Sequence, residues 1–327
     1  MPKLERWGKK RKDKRDWTSY NPKLIKRGEW FFDFSFLERI SEELKEMNKN
    51  KVGAPYKYTK SFIEFESKLQ PYFDYRSMQG MCGSLSEKID GFPVNNYSTA
   101  CRRINNLDLA LPDVDFDKPI YVGNDGSGIK VSNRGEWMRQ KWQVRRGWIK
   151  AVITMDVESK KLLDIEVFEK GDSEPDIFGR HIDQLIKKGA KIRKGCGDGA
   201  HDKRKLFNKF EEHGIEQVLK PRCNASTKAK GSVSRAREVR KFKELGYKEW
   251  AKQKEYGMRW STEGKFSCVK GKFGEYVRST KKKNMIEEAR RKFILGNIIV
   301  ACVPYHFYIH GSCLDSEVSV RYEIRRE

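Results

Sequence analysis

Tyr256, Arg259, Glu263 and Lys270 recur in the spacing Y-x2-R-x3-E-x6-K within the segment YGMRWSTEGKFSCVK. On a helix of 3.6 residues per turn, these four side chains fall within roughly 60° of arc. Met258, Thr262, Phe266, Val269 and Phe273 form a second stripe, centred roughly 90° away. The segment therefore reads as an amphipathic helix with one face turned to a core. The neighbouring face carries a carboxylate, two cations and a phenol. A carboxylate binds hard cations such as Mg²⁺. Arg holds phosphate oxygens as a fork and Lys holds them as a point charge. Together they suit a metal-bound phosphodiester lying along the helix. Taken alone, the same pattern describes a solvated helix face with an Arg–Glu pair at i,i+4. Gly257 and Gly264 also weaken the helix, each by about 1 kcal/mol against Ala.

Two carboxylates upstream decide between these readings. Asp125 stands in YVGNDGSGIKV and Asp198 in KGCGDGAHD. With the Y-R-E-K spacing, and in this order, they resemble the motifs of insertion-sequence DDE transposases. The chain resembles insertion-sequence family five, in the branch that opens with a basic arm and a D-W-x-x-Y-N-like segment. Residues 15–21 (RDWTSYN) fit that segment, and the resemblance runs from about residue 10 to about residue 301. It departs from the family at His201, where an aromatic residue is frequent, and in the tail from Pro304 onward.

The composition agrees with a polyanionic partner. The 327 residues carry a net charge of +23, and a chain this basic usually has one. Aromatics make up 12%, which argues against disorder and offers stacking surfaces for unpaired bases. No apolar run reaches the roughly 20 residues that a membrane span needs. The charged N-terminus lacks the apolar stretch of a signal peptide. The expected location is the cytoplasm of a bacterium or archaeon, with the nucleoid. Seven cysteines without a C-x-x-C pair fit reduced thiols. Cys302, His306, His310 and Cys313 have a spacing that could hold zinc on a helix. Pro304 interrupts it, and ordinary unmetallated residues are the expectation.

In chain order, residues 1–30 read as a basic arm and 31–112 as a helical DNA-binding or dimerisation region. Helices are expected at 36–48, 58–73, 85–89 and 98–107, the last presenting Arg102 and Arg103. Residues 113–303 read as the catalytic domain. Strands are expected at 119–125, 148–156, 162–168, 191–197 and 215–219, and helices at 173–188, 201–213 and 286–300. Arg145 and Arg146, in the basic link between the first two strands, are candidate DNA contacts. So are Lys228 and Lys230 in a basic Ser/Gly-rich loop at 221–245 that leads to a short helix. Residues 304–327 form a tail of unassigned role.

The resemblance implies an α/β fold: an RNase H-like domain with a mixed five-stranded sheet, preceded by the helical region. In that fold the first and fourth strands are neighbours, which brings Asp125 to Asp198. It implies that Asp125, Asp198 and Glu263 are catalytic and hold two Mg²⁺ ions, with Mn²⁺ as a substitute. It gives Tyr256, Arg259 and Lys270 to DNA-end handling. The implied activity is nicking of inverted repeats and joining of the freed 3′-hydroxyls to target DNA, by a homodimer on double-stranded DNA with no small-molecule substrate. Two other readings stay open here: a nuclease of the same fold that does not join strands, and a domesticated, catalytically inactive DNA-binding protein. An RNA-binding structural protein fits the charge but none of the motifs.

Overall fold

The structure, a computed structural model, describes residues 16–111, 116–131, 141, 147–169, 171 and 173–301. Five helices lead: α1 (Trp17–Phe31), α2 (Ile40–Asn48), α3 (Lys60–Leu69), α4 (Tyr75–Ser86) and α5 (Tyr97–Ile104). Each of α1, α3, α4 and α5 begins at a side chain that accepts backbone N–H groups: Asp16, Thr59, Asp74 and Asn96. Such caps satisfy donors that a helix start leaves free. Phe36, Phe62, Phe65 and Phe92 pack edge-on and tilted at the centre of this unit.

Three expectations shift here. The arm is helical from Trp17, within the described residues. Residues 85–89 are the end of α4 and its exit turn, since the helix itself lies upstream. The helix expected at 98–107 begins one residue earlier, at Tyr97, with Asn96 as its cap.

The sheet contains β1 (Ile120–Val131), β2 (Trp148–Asp156), β3 (Leu162–Phe168), β4 (Ile192–Gly197), β5 (Glu216–Leu219) and β6 (Tyr276–Val277). Its order is β3-β2-β1-β4-β5, with β6 beside the far end of β1. β1 pairs antiparallel with β2 and parallel with β4; β2–β3 is antiparallel and β4–β5 parallel. That order with those directions is the RNase H-like arrangement. The sheet has six strands rather than the expected five, because β1 runs on to Val131 and recruits the short β6.

Helices cover both faces. α6 (Glu174–Lys187) and α7 (Arg204–Glu212) bury Phe178, Ile182, Phe207 and Phe210 against Ile120 and Val122. α9 (Trp260–Phe273) and α10 (Lys282–Ala301) bury Phe266, Val269, Phe273 and Phe293 against Ile149, Ile153 and Met155. Between them α8 (Val233–Gln253) crosses outside β4 and bends at Gly246. The basic loop expected through residue 245 therefore ends at Ser232, whose hydroxyl caps α8. Buried Arg291 on α10 donates to Gln70 Oε1 and to the Ile104 carbonyl, tying the catalytic layer to the helical region.

Candidate active site

Asp125 sits midway along β1, opposite Ile153 of β2. Asp198 follows the last residue of the neighbouring β4. Its carboxylate folds back to cap a 3-10 turn, accepting from Ala200 N at 2.8 Å. Parallel pairing of β1 with β4 thus places the two carboxylates in electrostatic reach. Burial raises the Asp125 carboxyl pKa, and the charges of Asp198 and Glu174 push the same way. Asp198 is held down at about 2, chiefly by its hydrogen bond from His201.

The helix bearing Glu263 lies against β1. Gly123 makes this possible: a Cβ there would come within 2.7 Å of Val157 and 3.0 Å of Thr262. Thr262 Oγ1 then lies 3.3 Å from Asp125 Oδ2, with the Arg259 carbonyl a nearer acceptor for its one proton at 2.8 Å. Lys265 fixes the opposite side. Its buried ammonium donates to the Lys160 carbonyl and to Asn297 Oδ1, linking α9 to the β2–β3 turn and to α10. Lys270 Nζ reaches Ser127 Oγ at 2.7 Å, so it stands over β1 two residues past Asp125.

Glu263 does not touch the two aspartates. Its side chain is 51% exposed and pairs with Arg259, whose guanidinium also lies 3.7 Å from Asp125. Arg259 Nε is buried without a partner. Here a guanidinium occupies the space between two carboxylates and offsets their repulsion.

Tyr256 departs from the expected stripe. Glu255 adopts a left-handed conformation and residues 256–259 form a 3-10 turn, so the α-helix begins only at Trp260. Tyr256 is 4% exposed and packs tilted against Trp250 and edge-on to Tyr247. The open aromatic face beside the site belongs to Trp260, 70% exposed. Of the apolar stripe, Thr262, Phe266, Val269 and Phe273 are buried as expected, while Met258 is 37% exposed.

Among the other candidates, Arg102 is exposed on α5, and Lys228 and Lys230 are exposed in their loop. Arg103 is partly committed to the fold: it donates to the Tyr58 carbonyl and lies over the Tyr56 ring. Arg145, Arg146 and the Cys302–Cys313 grouping lie outside the described residues.

From sequence, His201 stands out only as a departure from a position where an aromatic residue is frequent. It is a fully buried link. Its Nδ1 meets Asp198 Oδ1 and its Nε2 meets Asn124 Oδ1, both at 2.8 Å. The Asn124 amide donates to the Ile153 carbonyl, which can only accept, and this fixes Oδ1 toward the ring. His201 therefore bridges Asp198 and Asn124. Asn124 also donates to Thr154 Oγ1, which meets His181 Nδ1 at 2.7 Å. A buried chain of hydrogen bonds so runs from Asp198 through the sheet.

His201→Phe would keep the ring packed on Phe178 and lose both bonds. It is expected to cost about 1–3 kcal/mol in urea denaturation for the stranded Asn124.

The strand order, with acidic groups at the β1–β4 junction, defines an RNase H-like α/β domain. A sequence profile described as "Transposase DDE domain" matches residues 122–294, over half of the chain. A second profile of the same description matches residues 25–134. The chain belongs to the DDE transposase family.

Among solved structures, it is similar to the piggyBac transposase synaptic complex with hairpin DNA. That match has 10% identity, covers 85% of this chain and 73% of that one, and has a TM-score of 0.33. The Drosophila P element transposase strand transfer complex matches at 11% identity, 82% and 84% coverage, and a TM-score of 0.34. The Mos1 strand transfer complex matches at 7%, 70% and 82%, and 0.24. Superpositions this loose transfer no residue and no ligand.

Proposed function

We propose that this transposase binds the terminal inverted repeats of its own element, nicks their 3′ ends by metal-dependent hydrolysis and joins them to target DNA by transesterification. The observation that carries this reading is the α9–β1 junction. It lays Glu263, Arg259 and Lys270 over a strand whose Asp125 adjoins Asp198. Arg259 between Asp125 and Glu263 marks a position that favours positive charge. The carboxylates there are hard oxygen donors, the set that suits Mg²⁺ or Mn²⁺.

Asp125, Asp198 and Glu263 would hold two Mg²⁺ ions, with Mn²⁺ as a substitute. Such ions activate the attacking oxygen and neutralise the leaving one. The protein's own groups do the positioning. His201 holds Asp198 by one oxygen and leaves the other free. Arg259 exchanges carboxylates for phosphate oxygens when DNA enters. Lys270 holds the backbone above Ser127, and Trp260 offers its ring to an unpaired base. Tyr256 supports Arg259 from below, its ring 5.7 Å from the guanidinium, rather than meeting DNA.

The remaining parts extend the same reading. Residues 1–30 and 31–112 serve DNA binding and dimerisation, with Arg102 at the surface. Residues 113–303 are catalytic, and Lys228 and Lys230 extend the basic surface. Two ends handled together imply a homodimer on DNA. No helix among the described residues is long and apolar enough to cross a membrane, and the working location is the cytoplasm with the nucleoid of a bacterium or archaeon. A nuclease that never joins strands leaves the Arg259–Glu263–Lys270 arrangement unexplained. A pure binding protein gains nothing from carboxylates in a cationic groove.

The test is a labelled duplex carrying the gene's flanking terminal repeat, incubated with protein, Mg²⁺ and a plasmid target. Nicks at the repeat boundary and joined products, both lost in Glu263→Gln, are expected. Nicks without joined products would replace the transposition reading with the nuclease one. Wild-type cleavage by Glu263→Gln would remove Glu263 from the site.

A further inference from the structure

Glu174, the first residue of α6, reads from sequence as an ordinary acid in a helix's first turn. Its position in the fold is less ordinary. β3 ends at an edge of the sheet, and α6 returns across the face beside β1. The Glu174 carboxylate then leans over β1 at Gly126, next to Asp125. A Cβ at residue 126 would lie 2.4 Å from Glu174 Oε1. The carboxylate therefore packs directly on the bare backbone of Gly126, and a side chain there would push it aside.

Ligand atoms of Glu174, Asp198 and His201 lie within 4.8 Å of one another. Both His201 nitrogens are already engaged, by Asp198 and Asn124. The imidazole is therefore a support rather than a ligand, and the oxygens of Glu174 and Asp198 remain. Oxygens around one Mg²⁺ stand roughly 3–4 Å apart, given bonds of about 2.1 Å. A small closure brings these two within that range. Glu174 is 14% exposed at its side chain. Its cationic partner is Lys150 of β2, at 2.5 Å and 40% exposed.

We propose that Glu174 is a fourth carboxylate of the metal site, kept in place by Lys150 until a divalent cation displaces that ammonium. The inference rests on the metal-site reading of Asp125 and Asp198. It adds a residue from outside the three-carboxylate set. The deep half of the site is then Asp125, Asp198 and Glu174. Glu263, held outward by Arg259, joins from the open side.

Mn²⁺ binding to the intact protein, followed by the EPR signal of free Mn²⁺, tests this without requiring activity. Four proteins are compared: wild type, Asp198→Asn, Glu174→Gln and Lys150→Met. Glu174→Gln is expected to weaken Mn²⁺ binding by about tenfold or more. Lys150→Met is expected to tighten it, because the competing cation is gone. Wild-type affinity in Glu174→Gln, with affinity lost in Asp198→Asn, would overturn the fourth-carboxylate inference and leave the wider metal reading standing. Wild-type affinity in Asp198→Asn would remove that wider reading. If Glu174→Gln does not fold by circular dichroism, Lys150→Met decides, and unchanged affinity there overturns the inference.

Discussion

Asp125→Asn is expected to stop strand cleavage while leaving the fold at least as stable as wild type. The rate should fall by at least about a thousandfold, equivalent to about 4 kcal/mol of transition-state stabilisation. The amide keeps the shape of the carboxylate, and its Oδ1 can still accept from Gly126 N, 2.9 Å away. What disappears is a negative charge beside Asp198 and Glu174. The sign of the stability effect follows from the direction of the shift. Burial and the neighbouring acids raise the Asp125 carboxyl pKa in the folded protein. Between the unfolded and folded pKa values the folded state binds more protons, so stability falls as pH rises through that window. At neutral pH the ionised carboxylate is therefore a cost to folding, and the neutral amide removes it. Cleavage rate and thermal unfolding, measured on the same preparation, check both halves. An inactive protein that is also several kcal/mol less stable would mean that Asp125 is structural.

Gly123→Val is the second large effect. Gly123 is buried between Met155 of β2 and Cys196 of β4. A Cβ at this position meets Val157, Thr262 and Cys196 at 2.7, 3.0 and 3.2 Å. Overpacking of this kind costs about 1–3 kcal/mol. Thr262 belongs to the helix that carries Glu263, so part of the relief comes by lifting that helix from β1. A displacement of about 1 Å at a reacting centre costs on the order of a hundredfold in rate. Gly123→Val is thus expected to lose far more activity than stability, read by cleavage rate and urea denaturation. A loss of stability with wild-type cleavage would show that the α9–β1 contact does not set the site.

The sheet was legible because its strands are short apolar runs between turn signals. β2 and β3 appear at residues 148–156 and 162–168, the bounds read from sequence. β1 was read as ending at Asp125, since Gly126-Ser127-Gly128 looks like a turn. Pairing with β2 carries it on to Val131. α4 was misplaced because Gly80 and Gly83 dilute its apolar periodicity, and only Asp74 marks its start. The first half of α8 was read as a basic Ser/Gly-rich loop leading to a short helix, although Ala236 and Val239 point inward.

The site divides in the same way. Asp125, Asp198 and Glu263 were visible as local motifs. Nothing local distinguishes Glu174, whose meaning comes from a β3–α6 return onto Gly126. Nor could the His201–Asn124 bond be read, because it joins residues 77 apart in the chain. Tyr256 was placed with the polar stripe because helical arithmetic does not foresee a left-handed residue at 255. That turn moves its ring under Trp250.

The proposal that Asp125, Asp198 and Glu263 together hold the divalent ions is tested most directly by metal-directed backbone cleavage. Fe²⁺ bound in place of Mg²⁺ generates hydroxyl radicals with ascorbate and peroxide, and these cut the chain nearest the ion. Cuts near residues 125, 198 and 263 are expected together, suppressed by excess Mg²⁺ and absent in Asp198→Asn. Cuts near 125 and 198 with none near 263, even with a terminal-repeat duplex present, would contradict that proposal and take Glu263 out of the metal site.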